Sequence, residues 1–207
     1  MFAVLISFTI ILLLVLGTEY LWRIKKISTE YSRKFVHISV ASFVAFWPLF
    51  MSWRTIEIST SFLLAVVVIS RIVSFPKSIH NIDRRTWGAQ LSSLSTVILA
   101  FFFHTDWIFA AAMLHLGLAD GFAAVVGTKS NMLKYKVFGH QKSVPGSSAF
   151  FIFSLIIILT VAIWWGDASW TVLIWLPLLS TLIENIAIYG SDDIFVPIIV
   201  AIALRWL

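Results

Sequence analysis

Residues 107 to 127 read WIFAAAMLHLGLADGFAAVVG, a run in which a single His and a single Asp interrupt otherwise apolar or small residues. A segment of about 20 such residues is long enough to cross the hydrocarbon core of a bilayer. A carboxylate inside it is costly and marks a functional position. Reading this stretch as a membrane span that carries one working acid decides the fold, because the rest of the chain repeats its pattern. Of 207 residues 60% are hydrophobic and only 12% charged, with ten Trp, eighteen Phe and no Cys. Soluble domains carry about 25% charged residues.

Apolar runs separated by charge clusters predict spans near 2–22, 35–51, 56–75, 87–103, 107–127, 147–165, 169–188 and 194–207. The expected architecture is an all-α, polytopic membrane bundle of about eight transmembrane helices, a single domain over 1–207. Spans of that number leave no room for a Rossmann domain or another soluble catalytic module. The lack of cysteine excludes disulfide frameworks, thiolate zinc sites, iron-sulfur clusters and cysteine nucleophiles. No Lys or Arg precedes the first run, which continues past the usual length of a signal-peptide core, so it reads as a retained span.

Charge sets the expected orientation. Residues 23–34, 71–86 and 128–146 hold thirteen of the fifteen Lys and Arg, while the alternate connections are short and nearly uncharged. Basic loops face the cytoplasm, which places both termini outside. The net charge of +5 thus reflects topology, and no nucleic-acid partner is expected. Trp47, Trp53, Trp107, Trp164, Trp165, Trp170 and Trp206 fall near outer ends and read as interfacial anchors. The long connection 128–146, with Gly139 and Pro145, reads as a functional cytoplasmic loop.

Glu19, His37, Asp120 and Glu184 all fall near the inner ends of predicted spans. His115 lies deeper, five residues from Asp120 and so on a different helical face, and reads as structural. Asp120, Ala123 and Gly127 share one face; small residues there allow a ligand or a second helix to approach. An acid among Lys and Arg suits a metal-bound polyphosphate, with carboxylate oxygens on the metal and cations and amides on the phosphates. In GHQKSVPGSSAFF (139–151), Gly146, Ser147 and Ser148 precede an apolar span, whose free N–H groups form an anion site beside Lys142. In EYSRKFVHIS (30–39), Arg33 and His37 share a face. In ENIAIYGSDDIFVP (184–197), Asp192 and Asp193 read either as first-turn residues of the last span or as metal and hydroxyl partners.

Together these segments resemble the CTP-dependent lipid-alcohol kinases, the family of dolichol kinase, phytol kinase and CTP-dependent diacylglycerol kinase. The resemblance runs from about Glu30 to Pro197. It rests on RKFVH (Arg33, Lys34, His37), RRTWG (Arg85, Gly88), Asp120 with Ala123 and Gly127, KSVPGS (Lys142, Ser143, Gly146, Ser147), Glu184 and DDIFVP (Asp192, Pro197). It implies transfer of the CTP γ-phosphoryl group, with Mg²⁺ or Mn²⁺, to the hydroxyl of a membrane lipid alcohol at the cytoplasmic face. That alcohol is a polyprenol, phytol or geranylgeraniol, or diacylglycerol.

On that reading Asp120, Asp192 and Asp193 hold the metal. Arg33, Lys34, Arg85, Gly127, Lys129, Lys142, Ser143, Gly146, Ser147 and Ser148 bind the nucleotide and its phosphates, and His37, Glu184 or Asp192 orients or deprotonates the hydroxyl. The chain departs from the family at Ala119, where Gly is usual before the Asp, at Asn131, where a second Gly is frequent, and at Asp193, where Asn is common. With no targeting extension before the first span, a bacterial or archaeal cell membrane is expected. Two rival readings remain. A cytidylyltransferase resembling CDP-diacylglycerol synthase would release pyrophosphate, and a transporter would spread ionisable groups through the membrane thickness. The sequence leaves the general base, the particular alcohol and the oligomeric state open.

Overall fold

The computed structural model describes residues 2–80, 87–129, 133–138, 140–165 and 170–206. Long apolar runs become helices wherever charge clusters, Pro or Gly do not break them. These are α1 (Phe2–Arg23), α2 (Thr29–Ala45), α3 (Trp53–Val73), the short α4 (Lys77–His80), α5 (Gly88–Phe102) and α6 (Asp106–Leu114). A π-helical turn, His115–Ala119, carries α6 into α7 (Asp120–Lys129). An antiparallel hairpin of β1 (Lys134–Val137) and β2 (His140–Ser143) follows, with Tyr135 opposite Lys142. The chain ends with α8 (Val144–Trp165), α9 (Trp170–Ile186) and α10 (Asp192–Arg205).

Each predicted span overlaps a helix, though α2 begins six residues before the predicted 35–51 and ends at Ala45. Four helical segments among the described residues, 2–23, 53–73, 106–129 and 144–164, are long and apolar enough to cross a membrane; 88–102 and 172–186 are apolar but shorter. The outside of the bundle is greasy: Leu5, Leu13, Ile69, Ile72, Ile163 and Trp164 are exposed. A surface of that kind belongs in lipid.

The helix of α6 and α7 is the axis of the fold, with 61% of its apolar window buried against 17% for α1 and α3. Phe109, Ala111, Ala112, Met113 and Leu116 pack there with Val196, Val200 and Ala201 of α10. Small residues let α2 lie against the same helix. A Cβ added at Gly117 would stand 2.9 Å from the Ala41 Cβ, and one at Gly121 would collide with Ile38. His115 is fully buried, with Nδ1 2.8 Å from the Ala111 carbonyl and Nε2 2.8 Å from Ser154 Oγ. Both ring nitrogens are satisfied, as a structural role requires. Glu19 is also engaged, accepting from the Ser78 N–H at 2.8 Å and from Arg23 Nε at 2.9 Å.

Two expectations are corrected. Trp47 is not an interfacial anchor: its ring is fully buried, edge-on to Phe43 at 6.4 Å. The helix ends before it, and a 3-10 turn at Trp47–Leu49, with Pro48 inside it, carries the ring. Trp164 and Trp206 are exposed, at 76% and 86%. The connection 128–146 is not a long loop, because helix and hairpin occupy most of it.

Candidate active site

The π-helical turn positions the central acid. The Asp120 N–H reaches back to the His115 and Gly117 carbonyls. The Leu116 carbonyl, which a regular α-helix would pair with that N–H, instead lies 2.8 Å from His37 Nε2 on α2. A carbonyl can only accept, so Nε2 carries the proton and Nδ1 keeps its lone pair. Ser92 Oγ stands 3.5 Å from Nδ1 while giving its own proton to the Gly88 carbonyl at 2.8 Å. Nδ1 is therefore a proton acceptor that its neighbour Ser92 does not supply.

Carboxylates gather around this imidazole. Asp120 Oδ2 is 3.6 Å and Asp193 Oδ1 is 3.9 Å from His37 Nε2, and ligand-type atoms of the three residues lie within 4.8 Å of one another. Asp193 Oδ1 is buried without a hydrogen-bond partner. The carboxylates of Asp120 and Asp193 offer oxygen ligands of the kind that suits Mg²⁺. Gly88 makes room for the acid: a Cβ there would stand 3.0 Å from Asp193 Oδ2. Burial first, then Asp120, pushes the Asp192 carboxyl up to about 7. Burial, then Asp120 and Asp192, raises Asp193 well above the usual carboxylate value, with Arg33 opposing. Acids held this close call for a cation.

Lys142 supplies one positive charge. Its ammonium is 2.5 Å from Glu184 Oε1, 2.7 Å from the Glu184 carbonyl and 3.9 Å from Asp192 Oδ2. Burial works against the ammonium, but Glu184, Asp192 and Asp120 outweigh it and hold Lys142 above the usual lysine value. Arg33 and Lys34 lie 3.1 and 3.5 Å from Glu30 Oε1. Glu30, Arg33, Lys34, Lys142 and Glu184 line one cleft of roughly 740 Å³ with Asp120, Asp192 and Asp193, and Gly127, Ser143, Gly146 and Ser147 are in its wall; His37 stands outside that lining, in the adjoining cavity.

Some expected phosphate contacts stand elsewhere. Helix α8 begins at Val144, so Ser143 caps it, and its Oγ accepts the Gly146 N–H at 3.2 Å. The Val144 N–H donates to the Leu133 carbonyl at 3.1 Å. The Val144 and Gly146 amides are thus engaged within the protein. Gly146 instead permits close packing, since a Cβ there would lie 3.0 Å from the Ala123 carbonyl and 3.2 Å from Gly127 Cα. Ser147 Oγ is 2.8 Å from Asn185 Oδ1 and 2.7 Å from the Tyr135 hydroxyl, which also contacts Asn185. Ser148 is exposed and outside the cleft wall. Lys129 is exposed too, its ammonium 5.9 Å from the centre of the Tyr31 ring. Arg85, Asn131 and Gly139 lie outside the described residues.

Sequence reasoning overlooked Glu30, Lys134, Gln141 and Gly190, which also line the cleft, and the Tyr135–Asn185 contact that ties the hairpin to α9. Asn185 left a signal, a second polar residue directly after Glu184 in an apolar helix. Tyr135 left none.

No family model matches the chain, and no solved structure matches it. It is similar to the phytol kinase of Synechocystis sp., 29% identical over 194 residues that take in 89% of this chain and 82% of that relative. Similarity over that length, on a chain whose motif residues from α2, α7, the hairpin, α9 and α10 meet in one cleft, supports its membership of the CTP-dependent lipid-alcohol kinase family.

Proposed function

We propose that the chain is a kinase that transfers the γ-phosphoryl group of CTP to the hydroxyl of a membrane lipid alcohol. The observation that carries this reading is the single cleft in which Asp120, Asp192 and Asp193 stand beside Arg33, Lys34 and Lys142, at one end of an apolar helix bundle. Phosphoryl transfer needs little covalent chemistry from the protein and depends on positioning and charge. Such a cleft supplies both at a membrane surface, and the similarity to a phytol kinase agrees with it. CTP as donor comes from the family resemblance.

Asp120 and Asp193, with Asp192 beside them, would hold Mg²⁺ or Mn²⁺, which when bound neutralises phosphate charge and orients the terminal phosphates. Arg33, Lys34 and Lys142 take the remaining phosphate charge. His37 is the base: its Nδ1 accepts the proton of the acceptor hydroxyl as that oxygen bonds to the γ-phosphorus. The bond from that phosphorus to the β-phosphate oxygen breaks, and CDP leaves. Glu184, bound on one oxygen by Lys142, positions the lysine. The basic connections of the chain support a position for this cleft on the cytoplasmic side of the cell membrane.

The test uses purified protein in lipid with Mg²⁺, γ-labelled CTP and a panel of lipid alcohols. Label in the lipid fraction is expected, together with its loss in Asp120→Asn at unchanged membrane insertion. Pyrophosphate release with a lipid phosphate as acceptor would replace the kinase by a cytidylyltransferase. Full turnover by Asp120→Asn would remove the metal assignment.

A further inference from the structure

His115 is a fully buried imidazole that lines neither the cleft nor the adjoining cavity. It opens the wide turn His115–Ala119, five residues before Asp120. The Ala111 carbonyl can only accept, so His115 Nδ1 carries the ring proton, and Nε2 takes the hydroxyl proton of Ser154 on α8, each at 2.8 Å. Ser154 is fully buried as well. The bond therefore joins the central helix to α8 inside an apolar interior, where a polar group left without its partner is costly.

The wide turn needs such a tie. A π-helical turn is a rare geometry, and it persists where the two halves it separates are each held in place. Packing holds the lower half, since a Cβ on Gly121 of α7 would collide with Ile38 of α2, and Gly146 of α8 lies close on Gly127. The upper half, α6, meets its neighbours through apolar side chains such as Phe109, Ala112 and Met113, contacts without direction. His115 gives it a directional one. If the turn relaxed to regular α geometry while α7 stayed in place, α6 would swing by about 100° and carry the imidazole away from Ser154. A hydroxyl and a ring nitrogen would be stranded in the core, so the bond to Ser154 keeps the turn wide.

The main chain of the same residue acts at the site. The His115 carbonyl shares the Asp120 N–H with Gly117, which leaves the Leu116 carbonyl to His37 Nε2 at 2.8 Å. We propose that His115, through Ser154, is a positioning residue for His37. By holding the turn wide it keeps His37 in one tautomer, with Nε2–H toward Leu116 and Nδ1 open to accept a proton. The use of that nitrogen in catalysis rests on the kinase reading, whereas the tautomer itself does not.

Nitrogen-15 labelling of the five histidines reads which ring nitrogens carry protons, with the His37 signals identified by their absence in His37→Gln. At about pH 8 an ordinary imidazole is neutral, and wild type should show His37 protonated on Nε2 and His115 on Nδ1. Ser154→Ala removes the hydroxyl with little change of volume, and His115→Met removes the ring nitrogens. Each should turn His37 into a mixture of tautomers and lower kcat by about tenfold or more, because a reacting group displaced by about 1 Å loses up to about 10²-fold. His115→Gln, whose amide reaches the place of Nε2, should restore the single tautomer and most of kcat. Ser180→Ala is the control: Ser180 is equally buried but donates to the Leu176 carbonyl of its own helix at 2.7 Å, and its loss should leave His37 as it is. If His115→Met fails to fold, Ser154→Ala decides. An unchanged single tautomer of His37 in Ser154→Ala overturns the proposal even where stability or kcat falls, since a merely structural bond would do that much. A mixture of tautomers already present in wild type overturns it too. Wild type that labels no alcohol while the tautomer responds as expected overturns the kinase reading and leaves the positioning of His37 standing.

Discussion

One ammonium, that of Lys142, grips Glu184 twice, at the side chain (2.5 Å) and at the main-chain carbonyl (2.7 Å). The end of the hairpin is thereby fastened to the end of α9, and the cation stands at a fixed place beside Asp192. Both side chains are largely buried, at 18% and 8% exposed. Removing one partner of such a pair strands the other charge, at a cost of about 3 kcal/mol. Lys142→Met should therefore lower the melting temperature and raise the KM for CTP. The double variant Lys142→Met/Glu184→Gln should recover most of the stability and none of the CTP affinity. Recovery of both would make the lysine purely structural.

His37→Gln tests the base. A glutamine can still donate toward the Leu116 carbonyl but offers no basic nitrogen, so kcat should fall by about 10² or more. The KM for CTP should stay within about twofold. Steady-state kinetics at saturating alcohol check this, and an unchanged kcat would assign the proton to another group.

Asp192 gives a pH dependence with a definite sign. Its folded carboxyl titrates at about 7, raised from 3.8 by burial and Asp120, so the folded state binds more protons than the unfolded one between those values. Stability of the metal-free protein should fall as pH rises from about 4 to 7. A divalent ion has to displace that proton. Mn²⁺ affinity should tighten by up to about tenfold between pH 6 and 7, with proton release on titration. Calorimetry in two buffers of different ionisation enthalpy reads the protons, and pH-independent Mn²⁺ binding would remove Asp192 from the metal's surroundings.

Gly146→Val tests the close approach of α7 and α8. The new side chain meets the Ala123 carbonyl and Gly127 Cα, backbone atoms that have no rotamer to change, so the helices have to part. The expected cost is about 1–3 kcal/mol, seen as a lower melting temperature. Unchanged stability would show that this seam has slack.

The sequence showed the helices because apolar runs and charge clusters are local signals, and every predicted span overlaps a helix. Full membrane-crossing length was less legible. Among the described residues it belongs to four of the helical segments. The residues of the cleft were legible because polar groups in a greasy chain stand out. Their partners were not. That Lys129 turns to Tyr31 while Lys142 turns to Glu184 depends on the hairpin geometry, which a Lys-rich connection does not announce. Trp47 shows the limit from the other side, because an indole near a helix end suits lipid or core equally until the next turn is known.

The wide turn at His115–Ala119 also has a bearing on how mutations will be tolerated. It absorbs one residue, so the two halves of the central helix keep separate rotational phases. If that segment relaxed to regular α geometry with every residue retained, the lower half would swing by about 100° about the axis. Asp120 would leave the cleft, and Leu116 would reclaim the N–H whose absence lets it hold His37. An insertion or deletion anywhere between Asp106 and Ala119 therefore acts on the acid at long range, as turning a key acts on a bolt. Length changes should be felt far more in this buried stretch than in the exposed ends of the bundle.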